Sequence, residues 1–323
     1  MKVAITGGAG FLGAALARRL LAAAHLTVAG EQYGPLDELI IADLVRPPAD
    51  VAADPRVRVA TGDLISTLPA LADAELIFHL AGVVSSAAEA DFDLGMSTNV
   101  DATRALLELC RSRPVCPVLV FSSSLAVFGS DPAIGPIGAV DDDTLPRPQS
   151  SYGIQKFIGE QLVADYTRKG FVRGRSVRLM TVAVRPGAPN AAASSFLSGI
   201  IREPLAGIRA ACPVPPDTPV ALSSPRRTLD GIQLAAAATD EAWGSRTAMN
   251  LPALTTSPRE MVAALARVAG DHVAALVDWT DVPSIAAIVT SWPATFATPR
   301  ALALGLKAER SFDDIVLAYR DGA

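Results

Sequence analysis

Five short aliphatic runs mark the first part of the chain: 2–6 (KVAIT), 38–42 (ELIIA), 57–61 (VRVAT), 75–80 (ELIFHL) and 117–122 (PVLVFS). Stretches with helical periodicity lie between and after them, near 11–24, 66–72, 95–112 and 152–169. Runs that are apolar throughout, rather than alternating, fit strands buried on both faces, and their alternation with helices predicts a parallel sheet. A sixth run, 175–185 (RSVRLMTVAVR), extends the series. After Pro186 the rhythm is lost: 186–227 is rich in proline, serine and alanine, and 258–323 reads as helices broken by prolines. A helix near 229–242 and a strand at 247–251 (TAMNL) return to the sheet. The expected division is therefore 1–185 plus 228–251 as the domain built on this sheet, with 186–227 plus 252–323 as a smaller lobe over its edge.

Composition narrows the partners. The net charge of −5 provides no basic field for nucleic acid or an acidic membrane. The longest uncharged stretch, 282–299, is broken by Pro283, Pro293 and Pro299, and the opening MKVAITGG reaches glycine too soon for a secretion signal. Cys110, Cys116 and Cys212 form no CxxC pair, which fits a reducing compartment; a cytoplasmic location is expected. His25 and His272 stand apart from any cysteine or acid pattern, so no metal is expected, and His79 inside a buried run reads as a hydrogen-bonded core residue.

Thr6-Gly7-Gly8-Ala9-Gly10-Phe11-Leu12-Gly13 joins the first strand to the first helix. Gly7 permits a tight turn, Gly10 lets backbone approach a pyrophosphate, and Gly13 lets helix and strand pack closely. The helix start, with Phe11 and Leu12, offers N–H groups and positive dipole to the phosphates. This arrangement predicts a Rossmann-type, doubly wound α/β sheet and a dinucleotide cofactor. The second strand ends in Asp43, placed to bind the adenosine ribose hydroxyls; a carboxylate there repels a 2′-phosphate and favours NAD over NADP. It lies farther from the glycines than usual, which puts extra length in the loop around His25–Asp37; a solvated surface aspartate is the alternative. Asp63 and Leu64, after the third strand, are placed to meet adenine, and Leu80, Ala81 and Gly82 end the fourth strand with small groups suited to the cofactor's approach. Each of these pairs also fits ordinary strand-end chemistry.

Ser150-Ser151-Tyr152-Gly153-Ile154-Gln155-Lys156 opens a helix after a proline-containing loop, and the four-residue spacing puts Tyr152 and Lys156 on one face. A free phenol, with a pKa of about 10, is a poor base at neutral pH. A nearby ammonium and an oxidised nicotinamide both favour phenolate. The same lysine can hold the nicotinamide ribose. Upstream, Ser122-Ser123-Ser124 ends the fifth strand at the edge where open α/β sheets bind ligands; a serine run capping a strand end is the plainer reading.

Together TGGAGFLG, FSSSLAVFG and SYGIQK resemble the extended short-chain dehydrogenase/reductases, the NAD-dependent epimerase/dehydratase family, over about the first 190 residues. The resemblance selects Ser124 as the catalytic serine beside Tyr152 and Lys156, with Ser122 near the cofactor. It assigns Asn99 to steadying the active-site helix and a water, and implies that Arg185-Pro186-Gly187 reaches the nicotinamide, with Asn190 on the substrate side. It also implies a possible homodimer through the helices near 95–112 and 152–169, where Leu106, Leu107, Phe157 and Leu162 offer apolar surface or else face the sheet.

The segments 186–196, 201–205, 212–216, 222–227 and Ser291-Trp292-Pro293 resemble members of this family that oxidise small sugar acids with NAD. A nucleoside-diphosphate-sugar 4-epimerase that retains its NAD is the alternative enzyme, and a non-catalytic NAD sensor the alternative of another class, although such sensors usually lack the tyrosine or lysine. A sugar acid needs a grip on its carboxylate. Arg226 and Arg227 are candidates: in an extended segment only one of two successive side chains can enter the cleft, and Arg227 is the favoured one. Asn190, Ser194 and Ser195 are expected to complete the pocket. Both arginines could instead form surface ion pairs.

Overall fold

The computed structural model describes residues 1–187 and 192–322. Seven strands form one all-parallel sheet: β1 (Lys2–Thr6), β2 (Glu38–Asp43), β3 (Val57–Thr61), β4 (Leu76–His79), β5 (Val118–Ser124), β6 (Arg173–Leu179) and β7 (Met249–Asn250). Their spatial order is β7-β6-β5-β4-β1-β2-β3. The order reverses between β1 and β4, and a ligand crevice opens at the carboxyl ends of the strands on either side of such a switch.

Two hydrophobic layers sandwich this sheet. Successive residues of a strand face opposite ways, so Val3, Ile5, Leu39 and Ile41 pack with Leu16 and Leu20 of helix α1 (Phe11–Ala22). Ala4, Ile40 and Ala42 pack on the other side with Leu106 and Leu107 of α2 (Ala102–Arg111) and Val163 of α3 (Ser151–Arg168). Leu106 and Leu107 are fully buried there, so they face the sheet and are not offered to a second subunit. Phe157 and Leu162 are half-buried.

The added length before β2 is a small hairpin, Leu26–Val28 with Glu31–Tyr33, whose turn uses Ala29 and Gly30, both at positive φ. The sixth run divides into β6 and a separate short strand, Thr181–Val182, which joins Val220–Ser223 and Leu254–Thr256 in a three-stranded sheet. The chain returns to the large sheet at helix α4 (Pro225–Ala237), and Ala301 and Leu306 from the C-terminal part also pack into its core. A second core brings together Val184, Leu197, Ile201, Leu222, Met261, Leu265, Val289 and Ile315. Among the described residues no helix is long and apolar enough to cross a membrane, and no group of three or more His, Cys, Asp or Glu could hold a metal ion.

Candidate active site

A cleft of about 340 Å³ runs along the carboxyl edge of the sheet, from the glycine turn to the second core. At its first end lie Gly7, Gly10, Phe11, Leu12 and Gly13. Gly7 has φ +70, and a Cβ there would stand 2.7 Å from the Ala81 backbone nitrogen; a Cβ on Gly13 would stand 2.2 Å from the Gly7 carbonyl. Side chains are excluded at both positions, and α1 starts at Gly10 with no side chain capping its first turn. Its N–H dipoles therefore face the cleft without competition from a capping side chain. The Asp43 carboxylate holds the same turn, its Oδ2 accepting the Ala9 N–H at 2.9 Å. Uncapped helix start, bare backbone and adjacent carboxylate fit a dinucleotide lacking a 2′-phosphate.

The middle of the cleft is lined by Leu80, Gly82, Ser122, Ser124, Tyr152 and Lys156. Lys156 is buried; its Nζ donates to the Ser122 carbonyl at 2.9 Å and sits 4.9 Å from the centre of the Phe121 ring and 5.8 Å from that of Tyr152. Burial pulls the ammonium down to about 8, with Glu160 opposing. The Tyr152 phenol is pushed up to about 12 by burial, against the opposing pull of a hydrogen bond with Ser124 and the charge of Arg185. The expectation that a nearby ammonium and an oxidised nicotinamide favour phenolate is met on the protein side by other groups: burial dominates, and Ser124 and Arg185 are the ones that oppose it. Ser124 Oγ also accepts the Ala126 N–H at 3.1 Å. A hydroxyl, a phenol and an ammonium so grouped can take a proton from a secondary alcohol once a positive ring adds its own pull on the phenol.

Asn99 stands behind this group, not in the cleft lining. It sits where the helix leading into α2 widens to a π turn over Ser97–Asp101. Its Oδ1 accepts the Val83 N–H at 2.8 Å, while Nδ2 donates to the Val83 carbonyl at 3.0 Å and to Gln155 Oε1 at 2.8 Å. Asn99 thus fastens the chain after β4 to α3 between Tyr152 and Lys156. Gly82 is pressed between Asn99 and Lys156, since a Cβ there would stand 3.0 Å from one and 3.2 Å from the other. A polar chain runs below: Thr6 Oγ1 to His79 Nδ1 at 2.7 Å, His79 Nε2 to Thr103 Oγ1 at 2.9 Å, and Thr103 Oγ1 to the Asn99 carbonyl at 2.8 Å.

Other expected residues are placed differently. Asp63 is exposed and caps a short helix by accepting the Ser66 N–H at 2.9 Å, and Leu64 packs against the sheet core. Ser194 lines the cleft; Ser195 lies at the start of helix Phe196–Leu205 and is not a lining residue; Asn190 lies outside the described residues. Arg226 and Arg227 are not extended. They occupy the first turn of α4, which Ser224 caps by accepting the Arg227 N–H at 3.1 Å. The Arg227 guanidinium lies 3.8 Å from Asp230 and 3.9 Å from Glu309, and Arg226 3.8 Å from Glu309. Neither lines the cleft.

The arginine that does line it is Arg185, beside Tyr152. Burial, then the charge of Arg202, pulls it below its usual value, and among the described residues it has no carboxylate partner, while Arg202 is paired with Glu203 in helix Phe196–Leu205. Sequence reasoning also missed a fully buried network under the lysine. Glu160 accepts from Ser123 Oγ at 2.5 Å and from Arg178 Nε at 2.8 Å, and Arg178 stacks 4.7 Å from the Phe128 ring centre. An arginine inside an apolar strand and a glutamate four residues after Lys156 were the available signals.

Fold and cleft together define a nicotinamide-dependent oxidoreductase of the short-chain dehydrogenase class. The chain belongs to the NAD dependent epimerase/dehydratase family, whose model matches residues 3–216. It is 50% identical, over 100% of its length and 99% of the relative's, to a D-erythronate dehydrogenase of Cupriavidus necator, and 42% identical over 99% and 98% to one of Haemophilus influenzae. Among solved structures it is similar to a nucleoside-diphosphate-sugar epimerase from Agrobacterium tumefaciens, at 36% identity and a TM-score of 0.88 over 99% of this chain and 94% of that one.

Proposed function

We propose that the protein oxidises D-erythronate at the hydroxyl next to the carboxylate, giving 2-dehydro-D-erythronate, with NAD as hydride acceptor. What supports this reading is Arg185, a half-buried guanidinium in the cleft beside Tyr152 that has no carboxylate partner among the described residues. Such a group suits a bidentate carboxylate. A carboxylate on Arg185 leaves the adjacent carbon's hydroxyl within the reach of Ser124 and Tyr152. The names of the two full-length relatives supply the chain length and configuration.

In this reading Ser124 orients the hydroxyl and Tyr152 takes its proton. Lys156 holds the nicotinamide ribose and keeps positive charge near the phenol; Asn99 positions α3. Gly7, Gly10, Phe11, Leu12 and Gly13 hold the pyrophosphate, Asp43 the adenosine ribose, and Leu80, Ala81, Gly82 and Ser122 flank the nicotinamide half. NAD, when bound, supplies the acceptor for the hydride. We place the enzyme in the cytoplasm, in keeping with three unpaired cysteines, and assign it a homodimer, to be checked by light scattering. The deciding experiment is NADH formation with four- to six-carbon aldonates and with UDP-sugars. Steady NADH from D-erythronate is the expected result. Epimerisation of a UDP-sugar without net NADH would replace this reading with the epimerase one.

A further inference from the structure

Resting on that reading, we infer that Trp292 sets the length of acid the enzyme accepts by walling off the cleft beyond Ser124. Trp292 belongs to the C-terminal part of the chain yet lines the cleft with Ser124, Leu125, Thr181 and Arg185. Leu125 follows Ser124 directly, and Trp292 packs against Leu125, Met180 and Ala221. An acid gripped by Arg185, with its reacting hydroxyl at Ser124, therefore extends its remaining carbons into a space bounded by the indole.

The wall is held from both sides. Ser130 N donates to the Ser291 carbonyl at 2.8 Å, and Thr255 Oγ1 donates to the Ala294 carbonyl at 2.6 Å. Val140 N donates to the Thr295 carbonyl at 2.9 Å, and Ala297 N to the Val140 carbonyl at 2.7 Å. Behind the ring, the space toward Leu197, Val220 and Val289 is about 10 Å³. That is at the lower limit for a single water, so no ready space lies behind the indole for it to move into. Its flat apolar face also suits the C–H side of a short polyol.

The test compares kcat/KM for four-, five- and six-carbon aldonates at saturating NAD in the wild-type protein and in Trp292→Ala and Trp292→Leu. The wild type is expected to favour the four-carbon acid. Both variants should raise the six-carbon to four-carbon ratio at least about tenfold, as expected when a steric barrier of a few methylenes is removed, while NAD affinity stays unchanged. If the alanine variant does not fold, the leucine variant carries the same ratio. A ratio that does not move in a folded variant, or a wild type that treats all three lengths alike, overturns the inference. A wild type that oxidises no aldonate and turns over a UDP-sugar overturns the proposed function itself, a result distinct from the other two.

Discussion

The two ends of the cleft are built by different means. At the glycine turn the ligand is met by backbone: N–H groups, a helix start and positions where side chains are absent. At the far end it is met by single side chains, Arg185, Ser194 and Trp292, brought together from three separate stretches. Backbone recognition needs glycines at fixed spacing, because a Cβ at Gly7 or Gly13 would strike backbone atoms. Side-chain recognition needs only that one residue of suitable chemistry arrive, and many sequence positions could supply it. The cofactor end is therefore written as a pattern, and the substrate end is settled by packing.

The sharpest way to break this comparison is at the point where the ends meet. Tyr152→Phe should lower kcat by about 10²–10⁴-fold, the usual contribution of a positioned general base, while calorimetry shows NAD binding unchanged. Near-normal turnover would remove Tyr152 from the chemistry. Arg185→Met should act at the far end only. Losing a hydrogen-bonded charged contact worth about 1.5–3 kcal/mol lowers kcat/KM for the acid by roughly 10–150-fold, again with NAD affinity intact. An equal loss of NAD affinity would show that Arg185 serves the cofactor.

At the other end, Asp43→Ala should weaken NAD binding about tenfold, the effect of one charge-assisted hydrogen bond, and narrow the preference over NADP because the repelling carboxylate is gone. Titration with both cofactors checks this; an unchanged preference would remove Asp43 from the ribose site. Arg227→Met gives the smallest effect, a KM change of less than about twofold, because partly exposed ion pairs contribute at most about 1 kcal/mol to the fold and none of that acts in the cleft. A large rise in KM would return the carboxylate to α4.

Strands β1, β2, β4 and β5 were legible because residues buried on both faces leave uninterrupted aliphatic runs, the partly exposed edge strand β3 only as a short run rich in β-branched residues, and Tyr152 and Lys156 because helical spacing fixes their shared face. The placement of Arg227 went wrong for a local reason that was also in the sequence. Ser224-Pro225 is a capping serine followed by a proline at the first helical position, which starts a helix and removes the condition of an extended segment on which that placement rested. The hairpin between α1 and β2 was legible only as surplus length. Its three-residue strands are too short for a periodicity signal, though Ala29-Gly30 marks the turn. Ser291-Trp292-Pro293 stood out only by resemblance, and the place of Trp292 was not legible because it depends on contacts with Leu125, Met180 and Ala221, all distant in sequence.

The hydroxyl–imidazole chain beneath the cleft has only one workable direction. The Thr103 hydroxyl gives its single proton to the Asn99 carbonyl, so it must accept from His79, which fixes the imidazole as the Nε2–H tautomer. Nδ1 is then the acceptor for the Thr6 hydroxyl. The first strand and the π turn holding Asn99 are thus joined by a relay of fixed polarity, in which an added proton would have to reverse the Thr6 hydroxyl. Burial, reinforced by Lys156, lowers His79 to about 3 from its ordinary 6.5. The unfolded chain takes up that proton as pH falls below about 6.5, whereas the folded chain refuses it until near 3, so acid drains stability throughout that window. Denaturant midpoints measured across it should fall steadily with pH. The relay that aligns the active-site helix is thereby also a device that ties correct alignment to a neutral interior.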